Sequence, residues 1–200
     1  MAVNKATFTM IGIGPILYGR PVHEERIGDE THEQLKERTW KEKAAVDGDN
    51  MLCIPAEAVR RSLIFAGSWL SMKLTGNKTF TKRFMSGMMC NKPMFQVIKN
   101  GSPIHFNELD KSGYRLDLFV PPDGKKGGKS RVWRAFPRIL PSWEVKAEFL
   151  VTDDAIDLPA LEAHVRSAGL HDGIGSMRIG SGGPNGMWDA KDVSLVPYTF

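Results

Sequence analysis

Residues 142–152, SWEVKAEFLVT, alternate without a break: Trp143, Val145, Ala147, Phe149 and Val151 on one side, Glu144, Lys146 and Glu148 on the other. Successive side chains of a strand point to opposite faces, so this pattern predicts a strand with one dry face and one wet face. DLPALEAHVRSAG (157–169) follows at once. Asp157 and Pro159 mark a helix start, Leu161, Val165 and Ala168 supply an apolar stripe, and Gly169 is the expected C-terminal cap. A strand with one dry face beside a helix with one dry stripe requires the two to pack on each other, which points to an α+β layer architecture.

The rest of the chain extends that pattern. ATFTMIGIGPI (6–16) reads as a first strand ended by Gly14-Pro15. Residues 23–50 form a charged insertion, either a solvated helix from Thr31 to Ala45 or a mobile segment, closed by a turn at Asp47–Asn50. MLCI is a short strand, and Pro55 opens a helix whose stripe is Val59, Leu63, Ala66 and Leu70, with Arg60 and Arg61 off it. Lys73 to Lys92 shows no clear period and reads as irregular. MFQVIKNG is a strand ending in a turn. YRLDLFVPP and RVWRAFPRIL are the arms of a basic β-hairpin over 114–138, tipped by DGKKGGKS, and DVSLVP is a last strand. The order is that of a ferredoxin-like, RRM-like βαββαβ core, expected as one nucleic-acid-binding domain over residues 1–200.

Charge is segregated along this order. The net charge is +4, yet Ala58 to Asn107 contains no acid and carries Arg60, Arg61, Lys73, Lys78, Lys82, Arg83, Lys92 and Lys99. Pro122 to Ser142 adds Lys125, Lys126, Lys129, Arg131, Arg134 and Arg138 against Asp123. Such segregation predicts a basic surface facing a polyanion. No window is apolar enough to span a bilayer, and the N-terminus lacks the plan of a signal peptide, so a cytoplasmic protein without membrane contact is expected. Cys53 and Cys90 are too few for a disulfide framework and read as buried structural thiols.

Several chemistries are excluded by spacing. GKKGGKS lacks the first glycine of a nucleotide-binding loop, because position 123 is Asp. GIGSMRIG lacks the third glycine of a dinucleotide fingerprint, because position 178 is Arg, and it follows a helix rather than a strand. No paired CxxC or HExxH occurs, so neither a metal nor a cofactor is expected. A metal-independent ribonuclease would use a histidine base, with His23 and His32 as candidates beside Arg178. Binding has more support. The run GLHDGIGSMRIGSGGPNGMW (169–188) offers glycine backbone for close approach, with Arg178 at its centre to pair with a phosphate. The candidate contacts are Arg60, Arg61, Lys82, Arg83, the hairpin residues Lys125, Lys126, Lys129, Arg131, Trp133 and Arg134, and Gly175, Arg178, Gly180, Gly182 and Gly183. Trp133, between two arginines, is the expected exposed base-stacking ring.

These motifs resemble those of the RAMP superfamily of CRISPR-associated proteins, most closely Cas7-like backbone subunits, in a divergent or phage-borne form. MLCIPAEAVRRSLIFA looks like the family's strand–proline–helix segment, and GIGSMRIGSGGPNGMW like its glycine-rich loop before the last strand, with Trp188 as the following aromatic. The hairpin stands where such proteins carry a thumb-like projection. The chain departs from the pattern in its short length, in Ala56 after Pro55, and in having no glycine before Arg60. The resemblance implies non-enzymatic binding of single-stranded RNA, a guide backbone, by repeating protomers of a multiprotein ribonucleoprotein. Relatives of the same fold that process guide RNA imply the ribonuclease alternative. A phage protein that binds DNA or obstructs a host defence complex is the third.

Overall fold

The computed structural model describes residues 3–70, 72–74, 78–110, 112–121 and 131–199. In chain order the elements are β1 (Asn4–Gly12), β2 (Ile16–Leu17), α1 (His32–Thr39), β3 (Cys53–Pro55), α2 (Ala56–Trp69), α3 (Thr81–Gly87), β4 (Met88–Cys90), β5 (Met94–Lys99), β6 (Ser102–Pro103), β7 (Arg115–Val120), β8 (Val132–Ile139), β9 (Trp143–Val151), α4 (Leu158–Ser167) and β10 (Trp188–Pro197). The main sheet runs β10-β1-β9-β5-β3, with α2 between β1 and β5 and α4 between β9 and β10. This is the antiparallel ferredoxin-like order. β4 and β5 lie end to end along β9, β4 against Phe149–Val151 and β5 against Trp143–Val145. Pro93 falls between them and has no N–H to give the ladder.

The strict alternation of β9 decides where the core lies. Val145, Ala147 and Phe149 pair in register with Met10, Phe8 and Ala6 of β1, and all are buried. Phe8 stacks on Trp188 at 6.2 Å, and Phe95 meets Phe149 edge-on at 5.4 Å. Val59, Leu63 and Ala66 of α2 and Leu161 and Val165 of α4 complete this layer. The opposite face of β1, β9 and β10 carries Thr7, Thr9, Lys146, Glu148 and Lys191, with a Lys191–Glu144 pair at 3.2 Å. RRM modules stack bases on aromatics of that face, whereas the aromatics of these three strands all point into the core.

A second, three-stranded sheet, β2-β8-β7, holds the hairpin. Leu116 and Leu118 share one side, and Phe119 pairs across the ladder with Trp133 on the other. α1 begins with a capping box between Thr31 and Gln34 and is tied to β7 by Glu37, which accepts from Arg115 at 2.6 Å. Lys125, Lys126 and Lys129 lie outside the described residues.

Four expectations are corrected. The Lys73–Lys92 stretch contains helix α3 and strand β4, because Phe80 and Phe84 pack on the buried His164 of α4 at 4.9 and 4.7 Å. Gly169 does not cap α4. The chain continues through a π-turn, Ala168–Asp172, and takes its positive φ of 70° at Gly173. Cys53 is buried, with its thiol pushed up to about 12 by burial, but Cys90 is exposed. The first strand ends at Gly12, and Ile16–Leu17 joins the second sheet instead.

Candidate functional site

Two motifs more than a hundred residues apart in sequence meet at one cleft of about 480 Å3. One wall is the start of α2, with Pro55, Glu57, Ala58 and Arg61. The second is the glycine-rich loop from Asp172 to Arg178, and the third is the chain leaving β2, Tyr18 to Arg20. Lys43 and Ala45, from the end of the charged insertion, close a side.

The walls are locked by particular bonds. The buried Ser62 hydroxyl is shared between the carbonyls of Ala168, at 3.2 Å, and Gly173, at 3.3 Å, which fixes α2 to the loop. The loop also zips along the segment around β2: Ser176 N–H donates to Leu17 and Gly186 N–H to Pro15, both at 2.8 Å. That approach requires glycine at two positions. Gly175 has φ +81° with its missing Cβ 2.7 Å from the Leu17 carbonyl oxygen, and Gly186 has φ +75° with its own 1.8 Å from that of Ile174.

Four cations line the cleft: Arg20, Lys43, Arg61 and Arg178, against the carboxylates of Glu57 and Asp172. Arg178 donates Nε to the buried Asp172 carboxylate at 3.1 Å, and its own side chain is 41% exposed. Arg61 makes a single Nε contact with Glu57 at 3.3 Å and is 77% exposed. The Lys43 ammonium donates to the Ala135 carbonyl and lies 4.9 Å from the Phe136 ring centre. Burial pulls its pKa down, and the neighbouring Arg134, Lys36 and Arg115 pull it further. A cation held beside other cations is a site that an anion relieves.

The adjacent Arg60 does something different. Its Nε donates to the Met88 carbonyl at 2.8 Å, Nη2 to that of Met85, and Nη1 to Glu57 at 3.0 Å. It ties α2 to the end of α3 and the start of β4. Lys82 and Arg83 line a separate depression with Ser86, where Arg83 pairs with Asp153 at 3.0 Å. Arg131 and Trp133 sit on the hairpin, beyond the cleft. Trp133 is 65% exposed and tilts against Phe119 at 5.3 Å, while the Arg131 guanidinium reaches the Phe119 carbonyl at 3.4 Å. Arg134 is half-buried on the neighbouring side of β8. Gly180 packs over Asp172. The amides of Gly182 and Gly183 donate inside the loop, to Ile179 at 2.7 Å and Arg178 at 3.0 Å. His23 and His32 are exposed on the insertion, and neither lines the cleft.

Arg20 and Lys43 escaped the sequence reading. Arg20 stands alone after Tyr18-Gly19, and Lys43 is buried in a run of mixed charge, so neither carries a local signal. Phe119 was visible only as part of YRLDLFVPP, one arm of the hairpin. Among the described residues no helix is long and apolar enough to cross a membrane, and no group of three His, Cys, Asp or Glu side chains is placed to hold a metal ion.

No protein-family model and no curated protein sequence matches this chain. Among solved structures it is similar to a chain of the type III-B Cmr-beta bound to cognate target RNA, solved by cryo-EM, with 8% identity and a TM-score of 0.47 over 98% of this chain. The match spans 61% of that chain's length. It is also similar to Cmr6 from Pyrococcus furiosus, with 10% identity and a TM-score of 0.42 over 98% of both chains. At such identities the likeness is one of fold alone.

Proposed function

We propose that this chain binds single-stranded RNA by its phosphate backbone, without cutting it, as a subunit of a multiprotein ribonucleoprotein. The observation that carries the reading is the convergence of Arg20, Lys43, Arg61 and Arg178, from four separate segments, on one cleft. Phosphates are held by such side chains, and neutralising them releases counterions. Trp133 and Phe119, exposed on the hairpin, supply rings on which bases stack at about 1–3 kcal/mol each. The sequence resemblance to RAMP subunits is what favours RNA over DNA and repeating protomers over a lone chain. The open sheet face takes no part, since its side chains are mixed in charge and lack rings.

Filter binding of matched single-stranded RNA and DNA tests this reading. Arg61→Ala is the clean probe, because its side chain is mostly in water. Arg178→Ala alone would strand the buried Asp172 carboxylate, so Arg178 is probed as Arg178→Gln with Asp172→Asn, which removes both charges together. The expected result is tight, salt-sensitive binding of RNA by the wild type, weakened at least tenfold in the combined variant with its thermal melt preserved. Absence of binding to either strand, or binding indifferent to these changes, sinks the proposal.

A further inference from the structure

The apolar stripe of α2 is buried, yet Trp69, the last residue of that helix, is 64% exposed, and Leu170 of the π-turn is also open to solvent. The indole is nonetheless held in one orientation. Its plane lies 7° from that of the His171 imidazole, with ring centres 6.4 Å apart, and Phe65, one turn back on α2, tilts against it at 5.6 Å. The two segments that carry these rings are fixed to each other by the Ser62 hydroxyl, which is shared between the Ala168 and Gly173 carbonyls. A ring that is oriented before binding loses little freedom when a flat partner covers it.

The rings continue the surface of the cleft. Ala58, Arg61, Phe65 and Trp69 recur at spacings of three and four, which puts them along one side of α2. Ala58 and Arg61 line the cleft, and Trp69 stands about 12 Å further along the helix axis than Arg61. The neighbouring segment repeats the order: Gly173 and Asp172 line the cleft, and the exposed His171 and Leu170 lie beyond them. Charge on these two segments is one-sided. Ala58 to Leu70 contains no acid, and Ala168 to Gly183 contains only Asp172, which is buried, whereas Arg60, Arg61 and Arg178 belong to the same stretches. An oriented, exposed indole in surroundings without an exposed carboxylate suits a flat group carried on an anionic chain. We infer that Trp69, set parallel to His171, is a stacking platform for one base of the bound single strand. The inference rests on the RNA-binding reading and adds to it the course of the strand, from the cleft along α2 to its C-terminal end. Stacking on such a ring raises affinity about fivefold or more.

Two strands of equal length test it, a single-stranded RNA and an abasic ribose-phosphate chain. Trp69→Ala weakens binding of the RNA about fivefold or more, leaves its salt slope and the thermal melt unchanged, and does not alter binding of the abasic strand, while Trp69→Phe restores part of the loss. Fluorescence gives a second reading. Trp40, Trp143 and Trp188 are buried, so in Trp133→Phe the exposed indole is that of Trp69, and RNA quenches its emission where the abasic strand does not. Wild-type RNA binding that is salt-sensitive and undiminished in Trp69→Ala overturns the platform and leaves the backbone reading standing. So does an equal loss for the RNA and the abasic strand, which marks a structural effect, and so does a change in sedimentation of Trp69→Ala with RNA affinity intact, which marks a contact between protein chains. Failure of the wild type to bind RNA overturns both readings. The quenching experiment keeps Trp69 in place, so it decides the matter even if Trp69→Ala does not fold.

Discussion

Arg60 and Arg61 are adjacent, and replacing each with alanine has opposite consequences. The Arg60 side chain is 19% exposed and holds two backbone carbonyls and a carboxylate. Hydrogen bonds involving a charged group contribute about 1.5–3 kcal/mol each. Allowing for partial hydration of the freed carbonyls, Arg60→Ala costs about 2–4 kcal/mol, a large share of the roughly 5–15 kcal/mol that holds a domain folded. Arg61 makes one exposed ion pair, of a kind whose loss changes stability by about 1 kcal/mol or less. In binding the order reverses. For single strands the salt slope is about −0.7 per neutralised phosphate, so four cleft cations give about −2.8 and Arg61→Ala about −2.1. Between 50 and 200 mM salt the wild type then weakens roughly fifty-fold, Arg61→Ala roughly twenty-fold, and Arg60→Ala as the wild type does. Urea unfolding and filter binding over a potassium chloride series measure both effects. If Arg61→Ala loses more than about 2 kcal/mol of stability, or Arg60→Ala flattens the salt slope as much as Arg61→Ala, the division of roles is wrong.

Other perturbations read out other parts of the same structure. Lys43→Met keeps the stem packing and removes a charge that its surroundings disfavour. Its depressed pKa means the fold gains stability as pH rises toward the ordinary value of 10.5, so Lys43→Met loses that rise and binds RNA more weakly, and a rise of the same size in the variant refutes this. Gly186→Ala forces a Cβ to within 1.8 Å of the Ile174 oxygen at a φ of +75°, and little soluble, folded protein is expected. His164 is buried, and burial drops its pKa below the ordinary 6.5. The unfolded chain therefore takes up a proton that the folded one refuses. This contribution is whole above about pH 6.5 and is lost as pH falls below it. Urea midpoints at pH 7.5 and 5.5 show the loss, and His164→Met narrows the difference if the assignment holds.

What could be read from the sequence was what is decided locally. β9 was legible because alternation is a property of one strand, and α4 because its cap, Asp157 accepting from Ala160 N–H at 2.9 Å, sits three residues from its donor. α3 was not legible. Its helix depends on Phe80 and Phe84 finding His164, which lies eighty residues further along the chain. Gly169 was misread for a related reason. It is glycine because a Cβ there would stand 2.1 Å from the Trp188 carbonyl oxygen, a long-range contact, and not because a helix ends. The cleft was half legible. The α2 start and the glycine run were each singled out, but that they face each other is set by the Ser62 hydroxyl, and which of two adjacent arginines turns outward is set by the carbonyls of Met85 and Met88.

The same distinction decides what the glycine run contributes. A nest of free backbone amides holds an anion by itself, and glycine-rich loops are commonly read in that way. Here the amides of Ser176, Ser181, Gly182, Gly183 and Gly186 donate to carbonyls of the loop or of the segment around β2. The glycines are needed so that two backbones can lie within hydrogen-bonding reach, and the same loop brings Arg178 to the cleft that Arg61 lines. In the proposed function the cleft side chains carry anion recognition, which salt screens and substitution removes one at a time, while the bonded part of the loop supplies position. That reading predicts that a glycine substitution acts on binding through stability and an arginine substitution in the cleft through charge. The two classes separate when affinity is compared at equal fraction folded.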